Sequence, residues 1–402
     1  MNILLKSPLH SPAPIEKTAR PTGTSRPRLM AFVSDGKTEA SLQACLSQLP
    51  FRDAIIRRGG IVKAIQHLGA ERSPDNVIVD VSGVEMPASR IYELAEVCEP
   101  GVTVIAIGDR NDIGLYRDLL QAGVSEYVVK PATPQFLSKA LFPKIVPAET
   151  SPISRKLGKI IAIVGARGGV GTTTIAINLA QYLADREKRR TLLLDLDLQN
   201  GDCALALNLR PTPGLREALA NPLRIDGVFL ERAMGAHGER LFVLSGEEPL
   251  RSETEFREEA VQTLIDALRA QFHYIVVDVP RLPAKPYHRA LELADIRVIV
   301  ADRTLRAVRD TVRLRATLGE GDATHRNLLI LNRSGEGGRH AMTLEEMGKV
   351  DLRPTIIIPF QPKLFIAGGL ARRGRFFDAI ASLATEISGH VPEQTPWWRL
   401  VG

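Results

Sequence analysis

The feature that most limits what this chain can fold into is a long succession of short apolar runs separated by amphipathic stretches. LMAFVS (29–34), AIIRRG (54–59), NVIVDVS (76–82), VTVIAIG (102–108) and EYVVKP (126–131) open the series. Short apolar runs bounded by Gly, Asp or Pro fit strands buried on both faces, and intervening segments of about 15–20 residues fit crossover helices. A second series follows: KIIAIVGA (159–166), RTLLLDLD (190–197), RLFVLSG (240–246), HYIVVDVP (273–280), IRVIVAD (296–302), RNLLILNR (326–333) and PTIIIPF (354–360). Between its members, EEAVQTLIDALRAQF places Val261, Leu264, Ile265 and Leu268 on one helical face. The predicted class is α/β, with two doubly wound parallel-sheet domains in tandem.

The punctuation divides the chain. Residues 1–28 are rich in Pro, Ser and Thr and basic, with Glu16 as the sole acid, and read as a flexible arm. The first domain is expected over 29–141, a proline-rich linker over 142–158, the second domain over 159–390 and a tail over 391–402. Fifty-two Lys and Arg against 46 Asp and Glu leave a charge of +6, which permits an acidic partner without requiring one. Cys45, Cys98 and Cys203 have no metal or redox spacing, which excludes a disulfide framework or zinc module and fits a reducing cytoplasm. The apolar start MNILLKSPLHSPAP is too short for a secretory signal, and no apolar run reaches the roughly 18–20 residues that span a bilayer. The expectation is a soluble cytoplasmic protein. His67, His237, His273 and His288 lack partners at ligand spacing and read as structural.

Chemistry concentrates at Ala166-Arg167-Gly168-Gly169-Val170-Gly171-Thr172-Thr173-Thr174, directly after an apolar strand and before the helical IAINLAQYL. Glycines let the backbone wrap an anion, their N–H groups converge on it, and a helix N-terminus adds positive potential. The usual phosphate loop ends Gly-Lys-Ser/Thr. Here Thr172 holds the lysine position and Ala166 that of the leading glycine.

This segment resembles the loop of the ParA/MinD family of deviant phosphate-loop ATPases, which reads KGGVGKT[TS]. The resemblance extends to LLLDLDLQNGD (192–202), YIVVDVP (274–280), LLILNR (328–333) and IIIPFQPK (356–363), in the family's order. It implies ATP and Mg2+ as cofactors and a face-to-face homodimer. Gly168, Gly169, Val170, Gly171, Thr172, Thr173 and Thr174 would form the nucleotide loop, and Arg167 would reach the partner's phosphates as a catalytic group. Asp197 would lie near the attacking water, Thr173 would bind magnesium, Asp278 would hold it through water, and Asn332 and Pro359 would flank the adenine. Thr174 is also suited simply to pack or cap the helix. Of the two carboxylates in this segment, Asp197 is assigned to face the nucleotide, and Asp195 is left as a second candidate or a surface or cap carboxylate. Threonine brings no charge to the phosphates, so at most weak ATPase activity is expected: binding retained, turnover slow or absent.

In the front domain, NVIVDVSG, VIAIGD and YVVKPAT resemble the receiver domain of response regulators, a flavodoxin-like fold. Asp80 matches the phosphoacceptor and Lys130 the lysine before Pro131. The acidic pair is reduced to Ser34-Asp35, and Gly108 holds the switch-hydroxyl position. That loss implies a degenerate phosphoacceptor site at Asp80, Lys130 and Asp35, in a domain used to dock or dimerise. The combination of degenerate receiver, linker and ATPase with Arg167 resembles the CpaE/TadZ family. It implies assembly and polar positioning of Tad/Flp-type pili, with pilus assembly and secretion machinery as partners and a cytoplasmic, polar location peripheral to the inner membrane. The alternatives are a DNA-partitioning ATPase and a phosphorelay output protein.

Arg306, Arg309 and Arg313 share a helix face, Arg303 and Arg315 stand nearby, and Arg372, Arg373 and Arg375 form a second cluster. DNA binding is disfavoured, because Asp310 dilutes the first run and no helix-turn-helix signal is present. Trp397 and Trp398, beside Arg399 and Leu400, suit a membrane interface, a partner anchor or packing back on the domain.

Overall fold

The computed structural model describes residues 29–47, 54–133, 136–137, 140, 157–249, 256–321, 325–336, 341–361 and 370–389. The N-terminal arm, nearly all of the linker, residues 362–369 and the tail with Trp397 and Trp398 lie outside the described residues.

Two sheets form. The first has strands β1 (Leu29–Val33), β2 (Ala54–Arg58), β3 (Asn76–Asp80), β4 (Thr103–Gly108) and β5 (Glu126–Val129) in the order β2-β1-β3-β4-β5. All its pairings are parallel, and helices Gly36–Leu46, Gly60–Ala70, Pro87–Val97 and Ile113–Gln121 cross between strands. This is the flavodoxin-like order, whose switch point lies between β1 and β3.

The second sheet contains β6 (Lys159–Gly165), β7 (Thr191–Asp195), β8 (Gly235–His237), β9 (Leu241–Leu244), β10 (Tyr274–Val279), β11 (Ile296–Ala301), β12 (Arg326–Ser334) and β13 (Ile356–Pro359). Their order is β13-β12-β11-β6-β10-β7-β9-β8. Helix α1 (Thr172–Asp185) follows β6 and packs on α2 (Arg375–Ser388), burying Ile175, Leu179 and Leu183 against Phe376, Ile380 and Leu383. Strand β8 is an addition to the sequence reading: three residues pair antiparallel with β9 at the sheet edge. A segment that short carries no alternation to detect.

The sheets meet at the ends away from their strand C-termini. Arg190, just before β7, is 3.5 Å from Glu99, and its guanidinium lies 4.9 Å from the Phe242 ring centre and 4.7 Å from that of Phe272. His273 Nε2 is 2.9 Å from the Cys98 carbonyl, and Arg240 donates to the Ala70 carbonyl. These residues precede strands β7, β9 and β10 on one side and follow helices on the other. The C-terminal strand ends of the two sheets therefore open away from this contact.

Candidate functional site

The β6–α1 turn builds the main site. Gly171 caps α1 at φ 93°, and a side chain there would stand 2.5 Å from the Asn332 amide nitrogen, so the position demands glycine. No side chain caps this helix end, which leaves its first N–H groups directed at the cavity. Val170 is fully buried and pins the loop to the core, while Gly168 and Gly169 are exposed. The resulting cavity of about 340 Å³ is lined by Arg167, Gly168, Gly169, Gly171 to Thr174, Asp197, Asn200, Asp278 and, unforeseen from sequence, Arg281 and Arg333.

Strand β7 ends at Asp195, so Asp197 lies beyond the strand and need not share the face of Asp195. Asp197 stands in the following turn, its Oδ1 accepting the Asn200 N–H at 2.9 Å, and it faces the cavity. Asp195 is no surface carboxylate: it is 1% exposed and accepts N–H groups of Asp197 (3.1 Å) and Cys203 (3.2 Å). Register pairs Asp195 with Asp278 on β10. Asp195, Cys203 and Asp278 bring their ligand atoms within 4.8 Å of one another, a juxtaposition that the cysteine spacing did not signal.

Burial pushes the Asp278 carboxyl up to about 7, helped by the Asp195 charge and opposed by the Thr173 hydroxyl. Burial likewise lifts Asp195 to about 6 against the Cys203 and Asp197 N–H groups. Two buried carboxylates repelling each other beside a threonine hydroxyl form a hard-oxygen donor set that suits a divalent cation such as magnesium.

Arg167 bonds its own chain's Asp302, just beyond β11. Burial raises the Asp302 pKa, but Arg167 and Thr304 outweigh it and hold the carboxyl below its usual range. Asn332 is buried behind the loop: its Nδ2 donates to the Val170 carbonyl at 2.7 Å and its Oδ1 accepts the Arg333 N–H at 2.8 Å. Pro359 ends β13 beside Ser334. Neither Asn332 nor Pro359 lines the phosphate cavity.

In the first sheet the three degenerate-site residues do converge. Lys130 Nζ lies 2.7 Å from Asp80 Oδ2 and 2.9 Å from Asp35 Oδ2, and the Ser34 N–H donates to Asp80 at 3.0 Å. Burial raises the Asp80 pKa, yet Lys130, Ser82 and Ser34 together hold it below the carboxylate norm. The Thr38 N–H and Lys130 depress Asp35 further. At Gly108 a Cβ would meet the Tyr127 hydroxyl at 2.3 Å, so the ring occupies the space a switch side chain needs.

Arg306, Arg309 and Arg313 are exposed on α3 (Leu305–Leu318), but Arg309 pairs with Asp310 at 2.9 Å. Among the described residues no helix is long and apolar enough to cross a membrane.

A glycine-rich strand–helix turn at a switch point, with a hydroxyl and buried carboxylates facing it, is the arrangement of a phosphate-loop fold, and the solved structures that superpose on it have the ParA/MinD-like fold. Residues 158–329 match the family described as AAA domain. The chain is 31% identical to the septum site-determining protein MinD of Synechocystis sp. over 181 residues, 44% of this chain and 65% of that protein. A ParA family ATPase from Chlorobium tepidum superposes with a TM-score of 0.51 at 22% identity, over 58% of this chain and 99% of that one. A CpaE2 pilus assembly protein from Sinorhizobium meliloti is 31% identical over 28% of this chain and 95% of its own, with a TM-score of 0.27, too low to bear on the fold. The chain spans only 64–65% of the length of the first sequence relatives it matches.

Proposed function

We propose that this protein is an ATP-binding ParA/MinD-like factor for assembly and polar positioning of Tad/Flp-type pili, acting as a nucleotide-gated homodimer with slow or absent hydrolysis. The observation that carries the nucleotide reading is the uncapped α1 N-terminus facing a cavity that also holds Thr173, Asp197 and Asp278. Loop N–H groups from Gly168 to Thr174 would bind the phosphates. Thr173 would hold magnesium directly and Asp278 through water, and the cation would neutralise phosphate charge. Asp197, partly exposed and fixed by Asn200, is placed to orient a water at the cavity mouth. Thr172 offers a hydrogen bond without charge, which favours binding over turnover. Arg167 must leave Asp302 before it can reach a partner's phosphates, so the dimer would form at the expense of that contact.

The pilus assignment rests on the sequence resemblance, and on a front unit whose acceptor aspartate is neutralised by Lys130 and whose switch position is filled by Tyr127. The proposed division remains a front docking unit over 29–141 and an ATPase over 159–390, sited in the cytoplasm at a pole. A nucleotide that binds the dimer better than the monomer shifts the equilibrium by its differential affinity. Light scattering with Mg-ATP, Mg-ADP and no nucleotide tests this: ATP alone should double the mass. An unchanged mass in all three rejects the gated dimer. DNA partitioning is the second reading, favoured by the exposed arginines of α3. It requires tight, salt-sensitive duplex binding and DNA-stimulated turnover.

A further inference from the structure

Thr172 leaves the phosphates without the ammonium group this type of loop normally supplies, yet three arginines line the cavity. Arg167 is committed to Asp302 and, by resemblance, to the partner's nucleotide. Arg333, the penultimate residue of β12, takes φ 54° and pairs with Glu336 in the turn that follows, 3.6 Å away. Arg281 differs in origin and in restraint. It lies three residues after Asp278, and β10 pairs with β6 through Val279 opposite Val164. The chain therefore leaves the sheet at Arg281 level with the first residues of the phosphate loop, and Pro280 limits the backbone immediately before it. The Arg281 side chain is 41% exposed and, among the described residues, held by one long contact, Nη1 to Asp310 Oδ2 at 3.4 Å. Asp310 keeps Arg309 at 2.9 Å when Arg281 departs, so moving the guanidinium strands no carboxylate.

We propose that Arg281 supplies, in cis, the positive charge on the nucleotide's terminal phosphates that Thr172 cannot. The proposal rests on the nucleotide-binding reading above. A guanidinium fork matches phosphate oxygens in two parallel hydrogen bonds, so it replaces an ammonium in charge and adds direction. Asp310 is then its resting counter-ion, surrendered when a stronger polyanion arrives.

Calorimetry with Mg-ATP on the full chain tests this with the wild type, Arg281→Gln, Asp310→Asn and the double variant Arg281→Gln/Thr172→Lys. Loss of one charge-assisted contact predicts affinity about 10- to 100-fold weaker for Arg281→Gln. Lysine at 172 should restore most of that loss, which a merely structural arginine would not allow. Asp310→Asn should tighten binding by freeing Arg281. If the wild type takes up no nucleotide, the nucleotide reading falls and this proposal with it. If the wild type binds and Arg281→Gln binds equally, or if lysine at 172 fails to rescue it, the proposal alone is overturned.

Discussion

Replacing Asp278 with asparagine should stabilise the protein without metal while abolishing its response to magnesium. Asp278 is 6% exposed and Asp195 1% exposed, and burial lifts Asp278 from 3.8 to about 7, with Asp195 adding to the rise. The folded chain thus keeps a proton that the unfolded chain releases, so stability falls as pH climbs from about 4 and the loss is complete above about 7. Roughly three pH units at about 1.4 kcal/mol each set an upper limit near 4 kcal/mol. Asn keeps an acceptor for Thr173 but puts an amide where the carboxylate can accept from the Cys203 thiol, 3.9 Å away, which cuts the expected gain to about 2–3 kcal/mol at pH 8. At roughly 2–4 °C per kcal/mol, Tm should rise by about 5–10 °C at pH 8 and hardly at all at pH 5. Scanning calorimetry in EDTA measures this, and a repeat with magnesium should raise Tm of the wild type only. An equal Tm difference at both pH values, or a loss at pH 8, would refute the charge-repulsion account.

Asp197→Ala should leave Mg-ATP affinity nearly unchanged and lower whatever phosphate release the protein shows; parallel loss of both would remove Asp197 from its role at the cavity mouth. Arg190→Met should cost about 3 kcal/mol in urea unfolding, because it removes the nearer of two guanidinium groups recorded against the buried Glu99 carboxylate, the other being Arg72 at 3.8 Å. A cost below about 1 kcal/mol would mean the contact between the sheets is looser than its geometry. Incubation with a small phosphoryl donor should leave Asp80 unmodified. Incorporation that disappears in Asp80→Ala would restore the phosphorelay reading.

The strands of the described regions were largely legible because parallel strands buried on both faces are continuous apolar runs, and β6, β10 and β11 begin and end within two residues of those runs. The antiparallel β8 was not, because three residues at an edge carry no period. At the site, the loop and the convergence of Asp35, Asp80 and Lys130 followed from motif position, since each side chain sits at a strand end in a fixed topology. Asp195 was left open because its burial depends on the Asp278 strand next to it, a register that no local pattern encodes. Cys203 and Arg281 escaped notice for the same reason: one is placed by a turn after β7, the other by a loop after β10. The run Asp278-Val279-Pro280-Arg281, a cation just past a strand-end carboxylate, was the signal available for Arg281.

The proposed function requires that a turn lacking its lysine still hold a nucleoside triphosphate. Titration calorimetry of the intact chain with ATP in excess magnesium tests it most directly. Saturable uptake of one nucleotide per chain is expected, weakened when magnesium is withdrawn. Absence of any binding heat from well-folded protein, confirmed by equilibrium dialysis with labelled ATP, would contradict it.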